Sequence, residues 1–361
     1  MNNNIILSFV NNLKRLYLCD FIENSVIDFP PVIINNENFL SDSLSGINPL
    51  DFTMRNINYL NTFLKEITII VNNYDSDHNL NKIYFQASSM SNILNKPSQL
   101  VDRHLEKIYS IIRNSPIKCV NIVGSDIFNY SQIQDLFNFL NSIDVLKIIN
   151  LNGSDLVKII NQGIENKWLY FFKELEKEYS ILMIFLDKNI KEEDFNLIKG
   201  FQDQFKLNIE FKFIIEESDE IVKAEKLTKN LSDNYSFYAF YNGNNLSFIK
   251  REVFLSEDEI MNIMPMDSKE IFSRSKLNRN YFSKLTFMSN GNIYSNFHKP
   301  KVGDLDENKI YKIIYNELKN GYWVYTRKLA KPCKNCIYNT FCPPVSNYEF
   351  DLNRNNLCLL N

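Results

Sequence analysis

Short hydrophobic runs alternate with longer amphipathic segments along this chain from residue 65 onward. Six runs are rich in Ile, Val, Phe or Tyr and lack strict polar alternation, which is typical of strands buried on both faces. We predict strands at 65–73, 117–124, 145–153, 179–187, 208–216 and 234–243.

The segments between these runs carry apolar residues three and four positions apart, as amphipathic helices do. We predict helices at 98–114, 131–143, 191–205 and 218–231, the first two with a serine N-cap. Because parallel strands require crossover connections, six successive strand–helix units predict an α/β fold with a parallel sheet. The pattern is compatible with a partly closed barrel and with an open, doubly wound sheet.

The alternation ends near residue 245, and the remaining residues have a different character. They predict an acidic helix within 256–264, a hairpin within 285–297 and a helix at 308–320. Asn290-Gly291 between strand-like flanks indicates a type I′ turn. We therefore predict three parts, namely an N-terminal segment of undefined type (1–64), the strand–helix region (65–245) and a smaller C-terminal domain (246–361).

The composition is that of an ordinary globular protein, with 45% hydrophobic and 23% charged residues and a formal net charge of −3. This balance argues against general electrostatic binding to nucleic acid, which usually appears as a strongly basic domain. The N-terminus lacks the basic start of a signal peptide, and no apolar stretch reaches the length of a membrane span. We expect a cytoplasmic protein that binds neither nucleic acid nor membrane.

Four of the six cysteines cluster near the C-terminus with the spacing C-x2-C-x5-C-x15-C. They are Cys333, Cys336, Cys342 and Cys358. Clustered thiols in a reducing compartment indicate metal binding or redox chemistry, and four thiolates suit Zn²⁺ or an iron–sulfur cluster. Pro343 directly after Cys342 favours the iron–sulfur alternative. Cys19 and Cys119 are isolated, and we predict that they are inert buried thiols.

The cysteine run PCKNCIYNTFCPPVSNYE, with NLC after it, resembles the SPASM domain of radical S-adenosylmethionine (SAM) peptide maturases. The chain is similar in particular to a degenerate branch, the pseudo-radical-SAM/SPASM proteins found beside peptide-maturation systems of Bacteroidales. FMSNGNIYSN, KVGDLDEN and KEITIIVNN also carry the resemblance, which covers about residues 60–361. It implies a partial (β/α)6 radical-SAM-like barrel followed by a small SPASM-type domain.

SPASM domains hold two auxiliary [4Fe-4S] clusters, and the resemblance implies that only one site is retained here. The four clustered cysteines match the ligands of the second cluster. Ser346 stands where the pattern has a further cysteine. Ser295 and Asn296 follow Gly291-Asn292-Ile293-Tyr294, where the first SPASM cysteine is expected, and Asn308 occupies the cysteine position after Gly303. The resemblance thus implies one [4Fe-4S] cluster, or zinc as the alternative, and no first-cluster site.

The barrel also departs from active radical SAM enzymes. Those enzymes carry C-x3-C-x2-C in the loop after the first strand, whereas the loop 73–90 has no cysteine. Gly124-Ser125-Asp126-Ile127 stands where they have a Gly-Gly-Glu-Pro run that contacts the cofactor. The resemblance therefore implies a pseudoenzyme that does not bind SAM.

Three hypotheses about function follow. The first is a non-catalytic partner in the biosynthesis of a ribosomally synthesised, post-translationally modified peptide, which binds the precursor peptide, an active radical SAM maturase, or both. The second is an electron-transfer subunit of a maturase complex. The third is an unrelated catalyst with a divalent cation at Asp75, Asp77, His78 and Asp126. We expect His78, His104 and His298 to be surface or structural residues.

Overall fold

The computed structural model describes residues 60–73, 80–87, 97–163, 166–177, 179–229, 234–262, 266, 268–354 and 356–359. The chain divides into two compact units, 1–48 and 49–361, and all of the described residues belong to the second. The predicted N-terminal segment (1–64) therefore lies almost wholly outside the described residues.

A nine-stranded, mostly parallel sheet forms the centre of this unit, and two further strands form a second sheet. The strands in the described ranges are β1 (Glu66–Ile70), β2 (Asn72–Asn73), β3 (Ser98–Gln99), β4 (Cys119–Val123), β5 (Leu146–Asn152), β6 (Ser180–Leu186), β7 (Ile209–Ile215), β8 (Tyr235–Ala239), β9 (Lys284–Phe287), β10 (Asn292–Tyr294) and β11 (Gly303–Asp304). The large sheet has the order β11-β10-β9-β1-β4-β5-β6-β7-β8, and β2 pairs with β3.

Six strands in this sheet, β1 and β4 to β8, are parallel, and each lies beside its predecessor in the sequence. These are the six strands predicted from the hydrophobic runs, so the α/β class and the parallel sheet are confirmed. Along these six strands the spatial order follows the order in the sequence and does not reverse. In a doubly wound sheet the order reverses at one point.

Helices occupy the connections between the strands. The α-helices in the described ranges are α1 (Leu80–Tyr84), α2 (Asp102–Arg113), α3 (Ile133–Asn141), α4 (Gly153–Gln162), α5 (Asn166–Lys177), α6 (Glu192–Phe205), α7 (Ser218–Thr228), α8 (Leu246–Glu252), α9 (Glu257–Met261), α10 (Ser268–Lys276), α11 (Ile310–Asn320) and α12 (Asn347–Asp351). All four helices predicted between the strands are present. The pair α4 and α5 was not predicted.

The two predicted serine N-caps are wrong. Ser98 lies in β3, paired with Asn73, and α2 begins only at Asp102 after Val101, which makes no side-chain cap. Helix α3 likewise begins at Ile133 after Gln132, again without a side-chain cap. Ser98 cannot cap α2, because its backbone pairs with β2 and it lies four residues before the helix begins.

The C-terminal residues extend the same sheet. Strand β9 pairs with β1 in parallel, and the predicted hairpin continues as antiparallel β9, β10 and β11. Gly291 at its turn has φ of 89°, and a Cβ there would lie 2.6 Å from the His104 ring, so glycine is required on both counts. The predicted type I′ turn is wrong, because that turn also needs a positive φ at Asn290, which Asn290 does not have. The turn is closed instead by the Gly291 N–H, which donates to the Met288 carbonyl over 2.9 Å. The proposed boundary between residues 245 and 246 stays a prediction.

One face of the sheet carries Glu66, Thr68 and Ile70 of β1. Its side chains change from polar to apolar along the strands. The register places Glu66, Thr68 and Ile70 of β1 beside Cys119, Asn121 and Val123 of β4, and Lys284 and Thr286 of β9 lie beside Glu66 and Thr68. The N-terminal ends of the strands therefore carry charged and polar side chains on this face, and the C-terminal ends carry apolar ones.

Candidate metal centre

The first two cysteines of the cluster lie on one tight turn. Cys333 begins a short 3₁₀ helix (Cys333–Asn335), and the backbone N–H of Cys336 donates to the Cys333 carbonyl over 3.0 Å. The next turn brings the Cys342 N–H to the Tyr338 carbonyl, also at 3.0 Å. The C-x2-C spacing thus forms a tight turn that holds both cysteines.

Cys358 reaches this region through a long-range backbone bridge. It pairs with Leu255, whose N–H donates to the Leu357 carbonyl and whose carbonyl accepts from the Leu359 N–H, both over 2.9 Å. The Asn356 side-chain amide donates to Cys358 Sγ over 3.2 Å. A contact with a residue about a hundred positions earlier in the sequence therefore places the fourth thiol.

Three of the four thiols face one largely apolar cavity of about 280 Å³. Cys333, Cys342 and Cys358 line it. Cys336 does not line it, but lies near enough for its charge to raise the pKa of Cys342. Within the described ranges, no group of three or more His, Cys, Asp and Glu side chains has a geometry that could hold a metal ion. The four cysteines are suitable in kind and number for a four-thiolate site, and they lie in one region of the structure. Their present positions do not form such a site.

Burial and one cation act in opposite directions on these thiols. Burial raises the pKa of Cys342 to about 11, and Arg327 opposes that rise. Burial also raises the pKa of Cys333, again against the effect of Arg327. Arg327 Nη1 lies 3.8 Å from Cys333 Sγ. The guanidinium therefore favours the thiolate forms that bind metals.

Arg327 is held in place by two further contacts. Its Nε donates to the Pro343 carbonyl over 2.8 Å, and its Nη2 forms an ion pair with Glu349. The two side chains are 7% and 1% exposed, so this is a buried pair. Sequence reasoning missed both residues, because nothing local distinguishes one arginine or one glutamate from the others.

Ser346 has a structural role at the position where the SPASM pattern has cysteine. It is the N-cap of α12, and its backbone N–H and hydroxyl donate to Glu349 Oε2 over 2.8 and 2.6 Å. Glu349 therefore connects the helix cap to Arg327. A cysteine would be a much weaker hydrogen-bonding group at this position.

The other positions that lack the pattern's cysteines also hold buried or hydrogen-bonded polar residues. Ser295 and Asn296 are buried directly after β10, and Asn296 Oδ1 accepts from the His298 N–H over 2.8 Å. Asn308 Oδ1 accepts from the Asp304 N–H over 2.9 Å. The side chains at these positions are thus oxygen and nitrogen donors rather than thiols.

The described part of the loop 73–90 packs into the C-terminal end of the sheet. Residues 74–79 and 88–90 lie outside the described residues. Leu80 and Ile83 of α1 form an apolar cluster with four side chains from the strand ends, which are Val123, Phe185, Ile214 and Phe240. The buried Asn81 side chain donates to the Asn72 carbonyl over 3.2 Å and fixes α1 to the sheet.

The segment that follows β4 is held by Asn72. Its side-chain amide donates to the Asp126 carbonyl, and its Oδ1 accepts from the Asp126 N–H over 3.2 Å. A Cβ on Gly124 would lie 2.6 Å from Asn72 Oδ1, so a side chain there would break this contact. Asp126 caps a 3₁₀ turn by accepting from the Asn129 N–H over 3.2 Å.

The two histidines that the structure describes make structural contacts, and Cys119 is partly buried rather than buried as predicted. His104 Nε2 lies 3.1 Å from Asp306 Oδ2, and His298 Nε2 lies 3.0 Å from the Gln86 carbonyl. Burial raises the pKa of Cys119 to about 12, so its thiol stays protonated at neutral pH. Asp75, Asp77, His78 and Cys19 lie outside the described residues.

Within the described ranges, every helix is too short or too polar to span a bilayer. The sequence matches no family model, and no curated protein matches it.

Proposed function

We propose that this protein is a non-catalytic, pseudo-radical-SAM partner in the biosynthesis of a ribosomally synthesised, post-translationally modified peptide. It binds the precursor peptide, an active radical SAM maturase, or both. In this proposal residues 65–245 are a degenerate partial (β/α)6 barrel, and residues 246–361 are a SPASM-like domain with one metal site.

The packing of α1 is the observation that carries this proposal. Active radical SAM enzymes hold their cofactor-binding cluster in the loop after the first strand. In this chain the described part of that loop places Leu80 and Ile83 against Phe185, Ile214 and other apolar side chains at the C-terminal end of the sheet. Apolar side chains offer no ligands for a metal and no hydrogen bonds for a nucleotide. The resemblance and this packing both favour a pseudoenzyme.

One cavity shared by distant strands supports the barrel. Thr68 of β1 and Lys212 of β7 are four strand spacings apart, which on a flat sheet is roughly 19 Å. Both side chains nevertheless line one cavity, together with Tyr238 of β8. A sheet that curls towards this cavity, as in a barrel, would bring the two side chains together.

The four clustered cysteines would hold one [4Fe-4S] cluster, or Zn²⁺, in this proposal. Thiolates are the ligands that both prefer, and four protein ligands leave no open position for a substrate. Bound metal would supply folding free energy to this part of the chain. Arg327 would partly offset the negative charge that four thiolates bring to the site.

The metal site can be tested on protein purified without oxygen, by measuring iron, acid-labile sulfide and zinc. We expect the iron and sulfide of one cluster, or one zinc ion, per chain of the wild type. Cys119→Ser should bind the same amount, because Cys119 lies outside the four clustered cysteines. A variant with all four clustered cysteines changed to serine should lose it. Equal metal in the wild type and the four-serine variant would refute the assignment.

The partner function can be tested by co-purification. The tagged protein would be expressed with the active radical SAM maturase and the short precursor peptide encoded beside it. We expect a complex with at least one of them on size-exclusion chromatography. Failure to bind either would remove the proposal, and release of 5′-deoxyadenosine from SAM by this protein alone would contradict its non-catalytic character.

Partial exposure of the cysteines favours a second candidate, an electron-transfer subunit of a maturase complex. All four thiols are only partly buried, so a cluster held by them would lie near the surface, within reach of a docked partner. This candidate requires iron and a reversible redox signal from the anaerobically purified protein. Stoichiometric zinc without iron would exclude it while leaving the partner function intact.

A further inference from the structure

A second cavity, of about 450 Å³, lies on the face of the large sheet that carries Glu66, Thr68 and Lys212. It adjoins the cysteine cavity and shares Asn280, Ser346 and Tyr348 with it, but no cysteine lines it. Its wall comes from β1, β9, β7 and β8, and from residues 346–348 at the start of α12. Its volume lies within the roughly 300–1,000 Å³ that small-molecule sites usually occupy.

Three charged side chains line this cavity, and two of them neutralise each other. Lys284 Nζ lies 3.1 Å from Glu66 Oε2, and the Asn121 side-chain amide donates to Glu66 Oε1 over 3.0 Å. The lysine and the glutamate are 41% and 29% exposed, so the pair lies at the solvent end of the cavity. The Glu66 carboxylate is therefore already satisfied by the protein.

Lys212 is the third charged side chain, and its positive charge is not balanced. Among the described residues, no carboxylate lies within ion-pair distance of its Nζ. Instead, Nζ lies over two ring faces, 5.0 Å from the centroid of Tyr238 and 5.4 Å from that of Phe185. These contacts hold the ammonium group in one position beside the cavity.

Burial of Lys212 is costly without a counter-charge. Burial lowers the pKa of Lys212, and the charge of Glu210, two residues away on the same strand, offsets this only in part. A partly buried ammonium is destabilising unless something in its surroundings interacts with the charge. A charged group with a shifted pKa that lines a cavity is a candidate for a ligand-binding role.

The remaining wall combines aromatic rings with amides. Tyr84, Phe85, Phe297 and Tyr348 supply ring surface, and Asn280 and Asn347 supply amide groups. The Tyr281 hydroxyl donates to Asn347 Oδ1 over 2.7 Å, which orients that amide. A ligand with an apolar or aromatic body and one anionic group would match both the wall and the net charge.

We propose that this cavity binds a small aromatic or apolar carboxylate, with Lys212 as its ion-pair partner. The carboxylate could belong to a free acid or to the C-terminus of a short peptide. This site adjoins the four-cysteine centre but uses none of its thiols, and it goes beyond the partner function proposed above.

Titration calorimetry with two probes tests the site and separates the two sources of carboxylate. Phenylacetate represents a free acid, and the dipeptide Gly-Phe represents a peptide terminus. We expect saturable binding of at least one probe to the wild type, and about tenfold or more weaker binding to Lys212→Met. Phenylacetamide, which lacks the charge, should bind as weakly to the wild type as phenylacetate does to the variant.

Lys188→Met is the matched control, because it removes an exposed lysine that pairs with Glu216 on the surface. It should bind both probes as the wild type does. Equal affinity of the wild type and Lys212→Met would overturn the proposal, as would the absence of saturable binding of either probe up to about 10 mM.

A second measurement uses only the wild type, so its result does not depend on whether Lys212→Met folds. Reductive methylation of Lys212, followed by mass spectrometry of its peptide, should slow when the bound probe is present. Methylation of Lys188 should not change. An unchanged methylation rate at Lys212 with saturating probe would contradict the ion pair, whatever the stability of the variant.

Discussion

Arg327 and Glu349 form a buried ion pair directly beside Cys333. Glu349 also accepts both hydrogen bonds that Ser346 donates at the start of α12, so one carboxylate joins the cysteine cavity to a helix cap. A buried charge that loses its partner is strongly destabilising. The pair is therefore a structural support for the candidate metal centre.

Replacing Arg327 by methionine should lower the free energy of unfolding by about 3–5 kcal/mol, because the buried Glu349 carboxylate loses its counter-ion. Lys223→Met is the control, since it breaks a surface pair with Asp219, and should cost less than about 1 kcal/mol. Urea unfolding of both variants measures the difference. A loss for Arg327→Met no larger than the control's would show that the pair does not support the fold.

Replacing Ser346 by alanine should cost about 1–3 kcal/mol, because the buried Glu349 carboxylate loses the hydrogen bond that the Ser346 hydroxyl donates. Ser346→Thr should cost less, since the threonine hydroxyl can donate the same bond. Denaturant unfolding of the two variants under one condition provides the comparison. Equal losses in both would mean that the hydrogen bond to Glu349 does not explain the serine.

The ion pairs of Asp306 should make the stability of the folded state depend on pH in the acidic range. It pairs with Lys107 over 2.7 Å, with His104 over 3.1 Å and with Arg103 over 2.7 Å. Hydrogen bonds from Lys107 and His104, with the nearby charges, lower its pKa from 3.8 to about 2. Because the folded-state pKa is lowered, the stabilisation is present above about pH 4 and is lost as the pH falls towards 2.

We therefore expect Asp306→Asn to melt at a lower temperature than the wild type at neutral pH, with the difference shrinking between pH 4 and pH 2. Thermal unfolding followed by circular dichroism across this range is the measurement. Asp219→Asn, at an exposed pair with Lys223, should show little difference at any pH. A wild-type advantage that persists unchanged at pH 2 would contradict the role of Asp306.

Replacing Leu80 by alanine should destabilise the protein by about 2–5 kcal/mol, because Leu80 is fully buried among the strand ends and leaves a cavity there. Ile337→Ala is the control, as that side chain is largely exposed, and should change stability by no more than about 0.5 kcal/mol. Chemical denaturation gives both values. A small loss for Leu80→Ala would show that α1 does not fill this end of the sheet.

Local pattern predicted most of the secondary structure of the described residues. The runs of Ile, Val and Phe identified the six parallel strands because their side chains must be buried on both faces of a covered sheet. Asn290-Gly291 identified the position of the hairpin but not its turn type, because Gly291 has a positive φ and Asn290 does not. The helix starts were less predictable. Ser98 pairs with Asn73 in a strand, and no local pattern around Ser98 indicates this pairing.

The candidate metal centre was predictable only in part. The spacing of Cys333 and Cys336 predicts a turn because both thiols lie within a few residues of each other. The approach of Cys358 depends on its bridge to Leu255, and the charge beside the site depends on Arg327. The sequence contains these residues but gives no local signal that they meet.

By itself, the sequence determined the α/β class, the six parallel strands and the cysteine turn, because burial and turn geometry act on residues close together in the chain. The tertiary structure decided the strand order, the packing of Leu80 into the sheet, the position of Cys358, the Arg327–Glu349 pair and the unbalanced charge of Lys212. These features join residues far apart in the sequence, and their partners are selected by the packing of the whole unit.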